Sequence, residues 1–218
     1  MEEDIKQFNK AFDIPVNMGI NEERQKKVRD WIEEELDEMW VGVNVGIHKS
    51  QKKGLIEVLD GLVDMTYFIL GAYVYSGQKV KFHHTFANAD NMVIDRDKME
   101  TYRTSYNYIM DYLNKYEKAD NIHNLELNLE LMLNQVFYLL AMFGLLDKFP
   151  EAWKEVHSSN MSKLCDTIDE AEERRMDYSK DGTLAYYKEH NGKIILFRKD
   201  GKVLKGKSYF EPNLKKLF

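Results

Sequence analysis

The chain has one cysteine, Cys165, and three prolines in 218 residues. A single thiol excludes an intrachain disulfide framework and a cysteine-based zinc cluster, and it is consistent with a reducing compartment. So few prolines suit long helices better than a loop-rich fold. The opening MEEDIKQFNK is charged, so no secretory signal is expected there. Nor is there a surplus of positive charge: 31 Lys and Arg stand against 37 Asp and Glu, for a formal net charge of −6. That balance argues against a nucleic-acid polymer as partner, because such binding needs clustered cations. What is present is 44% hydrophobic, 31% charged and 12% aromatic residues, a globular composition that is neither disordered nor collagen-like. The expectation is a cytoplasmic, soluble, mainly α protein with one core of ordinary size.

Asn21 is placed to cap a helix over 22–41, with Glu22 and Glu23 favourable in its first turn. Gly42, Gly46 and the basic cluster around Lys49, Lys52 and Lys53 predict a break. Residues 55–76 are apolar almost all round, which marks a buried helix. Three acids within it argue for a protein core and against a membrane span. Residues 78–97 read as a loop, followed by helices over 98–117, 125–146 and, opened by Pro150, 151–175. From Thr183 the period changes. Turn dipeptides Asn191-Gly192 and Asp200-Gly201 between β-formers predict a small β-meander. The expected organisation is a helical region over 1–180 and a meander with tail over 181–218, both within one domain.

Two acidic patterns carry the chemistry. In WIEEELDEMW, Val28, Trp31, Ile32 and Met39 define one apolar helix face, and Glu35 and Glu38 fall inside that arc with Glu34 at its edge. A carboxylate aimed at a core needs a partner. In the next helix Glu57, Asp60 and Asp64, at i, i+3 and i+7, share one stripe. Carboxylates so crowded repel each other, and Mg²⁺ or Mn²⁺, hard cations that take oxygen ligands, would relieve the repulsion. A solvated acidic face, a lysine from elsewhere for Asp60, or a buried tyrosine beside Asp64 are the alternatives. Cys165 reads as a small buried apolar residue, since no activating pair is visible. The tyrosines at 102, 106, 108, 112 and 116 read as packing.

The residues also resemble a family. Glu34 to Glu38 (EELDE) followed by Glu57-x-x-Asp60 looks like the EExxE…ExxD signature of the all-α nucleoside triphosphate pyrophosphohydrolases. That superfamily includes MazG-like enzymes, dimeric dUTPases and phosphoribosyl-ATP pyrophosphohydrolases. FNKAFDIPV resembles its FHxAFGxPV segment, with Asn9 where a histidine often stands. VHSSNMSKLCD and DGKVLKGKSYFEPNL resemble its VHxSNMSK segment and its C-terminal DGKVLKGPxYxxPDL tail. Residues 78–124 are longer than the family's usual connection and are expected to be a helical insertion.

The resemblance implies a helical-bundle pyrophosphohydrolase fold and a Mg²⁺-dependent reaction, with Mn²⁺ a possible substitute, that converts a nucleoside triphosphate and water to the monophosphate and pyrophosphate. Glu35, Glu38, Glu57, Asp60 and Asp64 would hold the metal, and Glu34 would serve as base for the attacking water. Lys163, Asn160, His157, Asn9 and Trp31 would contact substrate, with Phe8 a further candidate for stacking on a base. A homodimer or homotetramer is implied as well, since family bundles are commonly completed across subunits. The rival readings are a hydrolase of another nucleotide such as phosphoribosyl-ATP, and a catalytically silent helical binding protein.

Overall fold

The structure, a computed structural model, describes residues 1–81, 86–89 and 91–218. Of the loop expected over 78–97, residues 82–85 and 90 lie outside the described residues.

Helix α1 (Glu2–Ala11) leads through an extended turn to α2 (Glu22–His48), which Asn21 caps by accepting a hydrogen bond from Arg24 N. The predicted end of α2 at residue 41 is corrected by a full two turns. The reason lies in what the glycines touch. A Cβ on Gly42 would stand 2.9 Å from Val58 N, and one on Gly54 would stand 2.4 Å from the Gly46 Cα. These glycines do not break α2; they let α3 (Gln51–Ser76) cross it backbone against backbone. Ser50 caps α3, and Gly77, at φ 76°, closes it.

The segment expected as an insertion forms α4 (Met99–Glu117) and leads into α5 (Ile122–Met142). This hairpin lies on the first pair, α4 against α2 and α5 against α3, so four helices of one chain share one core. Tyr102, Ile109, Leu113, Leu129, Met132 and Val136 are all fully buried there. Gln25, from α2, donates to the carbonyls of Tyr116 (2.7 Å) and Ala119 (3.0 Å) and so satisfies the end of α4.

The single helix predicted over 151–175 is two, α6 (Phe149–Met161) and α7 (Ile168–Lys180). Cys165 lies between them, exchanging two 2.9 Å backbone hydrogen bonds with Ile194, so the hairpin's ladder competes with helix continuation and wins. Thr167 then caps α7. The sheet has two antiparallel strands, β1 (Ala185–His190) and β2 (Lys193–Arg198). Asn191 and Gly192, at φ 51° and 72°, supply the left-handed pair a tight hairpin turn needs. The predicted meander is thus corrected to a hairpin, because the third limb after Asp200-Gly201 meets β2 through a lone Phe197–Val203 bridge. The tail continues past α6, where Gly206 N bonds the Lys163 carbonyl and Ser159 Oγ bonds the Phe210 carbonyl. It ends in one 3₁₀ turn (Leu214–Leu217). The C-terminal segment therefore covers one side of the α2–α3 pair. No helix of the described residues is long and apolar enough to cross a membrane.

Candidate functional site

An open cleft lies between α2, α3, α6 and the C-terminal tail. Glu35, Glu38, Glu57, Asp60, Asp64, Asn160 and Lys163 all line it. A second, mostly apolar cavity adjoins it, and Glu35, Asp64, Asn160, Lys163 and Lys202 belong to both. Asn9 and Trp31 line that second cavity, together with Phe8, Tyr67 and Phe68. Two expected residues stand elsewhere. His157 lines neither space; its Nδ1 lies 3.0 Å from the Tyr67 hydroxyl and its Nε2 3.3 Å from Gln7 Oε1, on the outer side of that ring. Glu34 sits at the edge, turned toward the tail.

The helical period explains the convergence. Positions 35 and 38 of α2 and positions 57, 60 and 64 of α3 are stripes, and the glycine contacts bring the two stripes together. Glu35 is only 6% exposed. Glu38 corrects the expectation of two glutamates in the core: it is exposed at the cleft rim. At the floor, Asp60 Oδ1 is buried and has no hydrogen-bond partner.

Burial, and then the nearby Glu35 and Glu38 charges, push the Asp60 carboxyl up to about 6. Burial, with Glu35 and Asp60 adding to it, raises Asp64 well above the usual carboxylate range. Burial followed by Glu35 raises Glu38. Burial also lowers the Lys163 ammonium, opposed by the charge of Asp64.

Basic side chains from the tail were not legible as part of this site. Lys202 Nζ lies 2.7 Å from Glu34 Oε2 and 3.0 Å from Glu35 Oε1. Arg198 reaches Glu34 Oε1 at 3.3 Å and is itself held by Asp200 at 2.7 Å. Asp200 in turn accepts a 2.9 Å bond from Trp31 Nε1. Against the upward push of burial, hydrogen bonds from Lys202 and then Arg198 keep Glu34 below its ordinary pKa. Glu57 has its own counter-ion, with Lys53 Nζ 3.7 Å away at i−4. Lysines 52 and 53 line the cleft, whereas Lys49 does not. The signal for Lys202 was present in the DGKVLKG segment, but nothing local says that its side chain returns to α2.

Among the described residues, no three of these acids already converge as a metal-binding group. Glu35 turns to Lys202 and Glu57 to Lys53, so two of the carboxylates rest on ammonium groups. Their chemistry nonetheless suits a hard cation: all are oxygen donors, Asp60 Oδ1 is orphaned, and Asp60 and Asp64 are crowded by like charge. Cys165 is free and fully buried, and burial raises its thiol, as an inert packing residue requires. No family model, curated protein or solved structure matches this chain.

Proposed function

We propose that the protein is a Mg²⁺-dependent nucleoside triphosphate pyrophosphohydrolase, converting (d)NTP and water to (d)NMP and pyrophosphate. The observation that carries this reading is the junction of two unlike spaces. A cleft of carboxylates and lysines opens into an aromatic cavity, and Glu35, Asp64, Asn160, Lys163 and Lys202 stand where they meet. A nucleotide has that same division, a flat ring at one end and a polyanion at the other.

Glu35, Glu38, Glu57, Asp60 and Asp64 would hold Mg²⁺, with Mn²⁺ a substitute. When bound, the ion neutralises triphosphate charge and polarises phosphoryl oxygens. Glu34, at the edge of the cleft, would orient the attacking water and accept its proton once Lys202 leaves it for the incoming anion. Lys163 and Lys202 reach phosphate oxygens, and Lys202 exchanges its carboxylate partners for the incoming anion. Asn160, which lines both spaces, stands at the junction to hold the sugar–phosphate end. Phe8, Trp31, Tyr67 and Phe68 enclose the base and exclude water from it. The all-α pyrophosphohydrolase fold, and the homodimer or homotetramer that goes with it, belong to this proposal; sedimentation velocity tests the second.

The deciding experiment incubates the protein with a panel of nucleoside triphosphates and Mg²⁺ and separates products by ion exchange. Monophosphate and pyrophosphate are expected from at least one substrate. Orthophosphate alone would make it a phosphatase. No turnover across the panel, phosphoribosyl-ATP included, would favour a binding protein.

A further inference from the structure

The aromatic cavity contains a cation that no carboxylate among the described residues neutralises. Arg24 stands in the first turn of α2, with its guanidinium carbon 4.8 Å from the centre of the Trp31 ring and 5.2 Å from that of Tyr75. Burial lowers its pKa, and the groups that oppose the shift are two tyrosines, Tyr116 and Tyr75. Arg24 lines the cavity, and its Nε is buried without an acceptor. Asn9, 3% exposed, lines the same cavity from α1, and its Nδ2 is likewise buried and unpartnered. Leaving such groups unsatisfied carries a desolvation cost, larger where charge is involved. The aromatic faces offset part of the cost for the guanidinium but accept none of its N–H bonds.

A guanidinium only donates, so its complement is an acceptor. Nucleobases divide on that property. Guanine presents O6 and N7, and uracil and thymine present O4. Adenine and cytosine place an amino group at the corresponding edge. Facing Arg24, an amino group would set donor against donor in a space with little water, and both would stay unpaired. The phosphate end is separately provided for by Lys163 and Lys202, which line the acidic cleft as well, whereas Arg24 lines the aromatic cavity alone. Resting on the triphosphate reading above, we propose that Arg24, supported by the Asn9 amide, selects nucleotides whose base carries a keto oxygen at that edge over those that carry an amino group.

The test measures kcat/KM for dGTP, dUTP, dTTP, dATP and dCTP with Mg²⁺ in the wild type, Arg24→Met and Arg24→Gln, with thermal unfolding of each. The dGTP arm and the two pyrimidine arms separate the sources of the keto group. The wild type is expected to favour at least one keto substrate over both amino substrates by about tenfold or more, the range that a missing buried hydrogen bond gives. In Arg24→Met that ratio collapses, chiefly through KM for the keto substrates. Arg24→Gln, which both donates and accepts, narrows it, and this variant decides the matter if the methionine variant does not fold. A merely structural arginine would change the unfolding midpoint and leave the ratio alone. Equal turnover of keto and amino substrates, or a ratio unchanged in a folded variant, overturns the inference while leaving the reaction standing. Absence of turnover with every triphosphate overturns both.

Discussion

Lys202 Nζ stands 3.0 Å from Glu35 Oε1, although 167 residues separate them in sequence. The lysine is one-fifth exposed and Glu35 less than one-tenth, so solvent screens the pair only in part. The tail thus supplies a monovalent counter-ion to a carboxylate proposed to hold a divalent one. On that proposal the two cations would compete for Glu35, and a metal that won would set Lys202 free beside the phosphate end.

Lys202→Met should therefore bind Mn²⁺ more tightly, by about tenfold, since an opposing charge at this range has been removed. The same variant should lose turnover by about 100-fold, having lost a donor to the developing phosphate charge. In EDTA it should also be less stable, by about 3 kcal/mol, because Glu35 is left buried without its partner. Titration followed by the electron paramagnetic resonance of free Mn²⁺ reads the first effect directly. Weaker Mn²⁺ binding in a folded variant would remove the competition.

The raised carboxylates make the metal-free protein pH-dependent in a definite direction. Asp60, pushed to about 6 from an ordinary 3.8, binds its proton more tightly folded than unfolded. Its contribution is therefore fully present below about pH 4 and is lost as pH rises through about 6. Asp64 and Glu38 are shifted the same way, while Glu34 is shifted oppositely. In EDTA, Asp60→Asn should raise the unfolding midpoint at pH 7.5, measured by calorimetry, and should flatten its decline between about pH 4 and 7. With Mg²⁺ and substrate the same variant should be inactive. A lower midpoint in EDTA would show that Asp60 is paired, not repelled.

The crossing of α2 and α3 has almost no tolerance. A methyl on Gly54 would meet the Gly46 Cα and N at 2.4 Å and the Gly42 carbonyl at 2.6 Å. All of these are backbone, so nothing can rotate aside and the helices must part. Gly54→Ala should cost about 4 kcal/mol or more, at the extreme of single substitutions. Since both acidic stripes depend on that approach, activity should fall with it. Circular dichroism on heating checks the first expectation, and a midpoint within a few degrees of wild type would contradict it.

These glycines also mark the limit of what the chain reveals before folding. Helix starts at Asn21, the buried character of α3 and the acidic stripes were legible, because capping and periodicity are local properties. Gly42 and Gly46 read locally as breakers, yet their role depends on what α3 brings against them. The interruption between α6 and α7 depends in the same way on Ile194, which takes the backbone of Cys165 into its ladder. Glu34 and Glu35 could be chosen from sequence as chemically active, but their counter-ions could not, since Arg198 and Lys202 arrive from the far end of the chain. Nothing local marks Arg24, a basic residue in a first helical turn, and only the fold turns its guanidinium toward Trp31 and Tyr75.

Gly71 separates stability from function at a single atom. It lies inside α3 and borders the aromatic cavity, and a Cβ placed on it meets nothing within 4 Å. Gly71→Ala should therefore stabilise the helix by about 1 kcal/mol, raising the unfolding midpoint by about 3 °C. The added methyl occupies room the base would need beside Trp31 and Arg24. Overpacking of that kind costs about 1–3 kcal/mol where the walls cannot give, so KM for the preferred nucleotide should rise about tenfold with little change in kcat. Thermal unfolding and steady-state kinetics on one preparation decide it. A higher midpoint with unchanged KM would mean that the base binds elsewhere, and would dissociate the aromatic cavity from the acidic cleft.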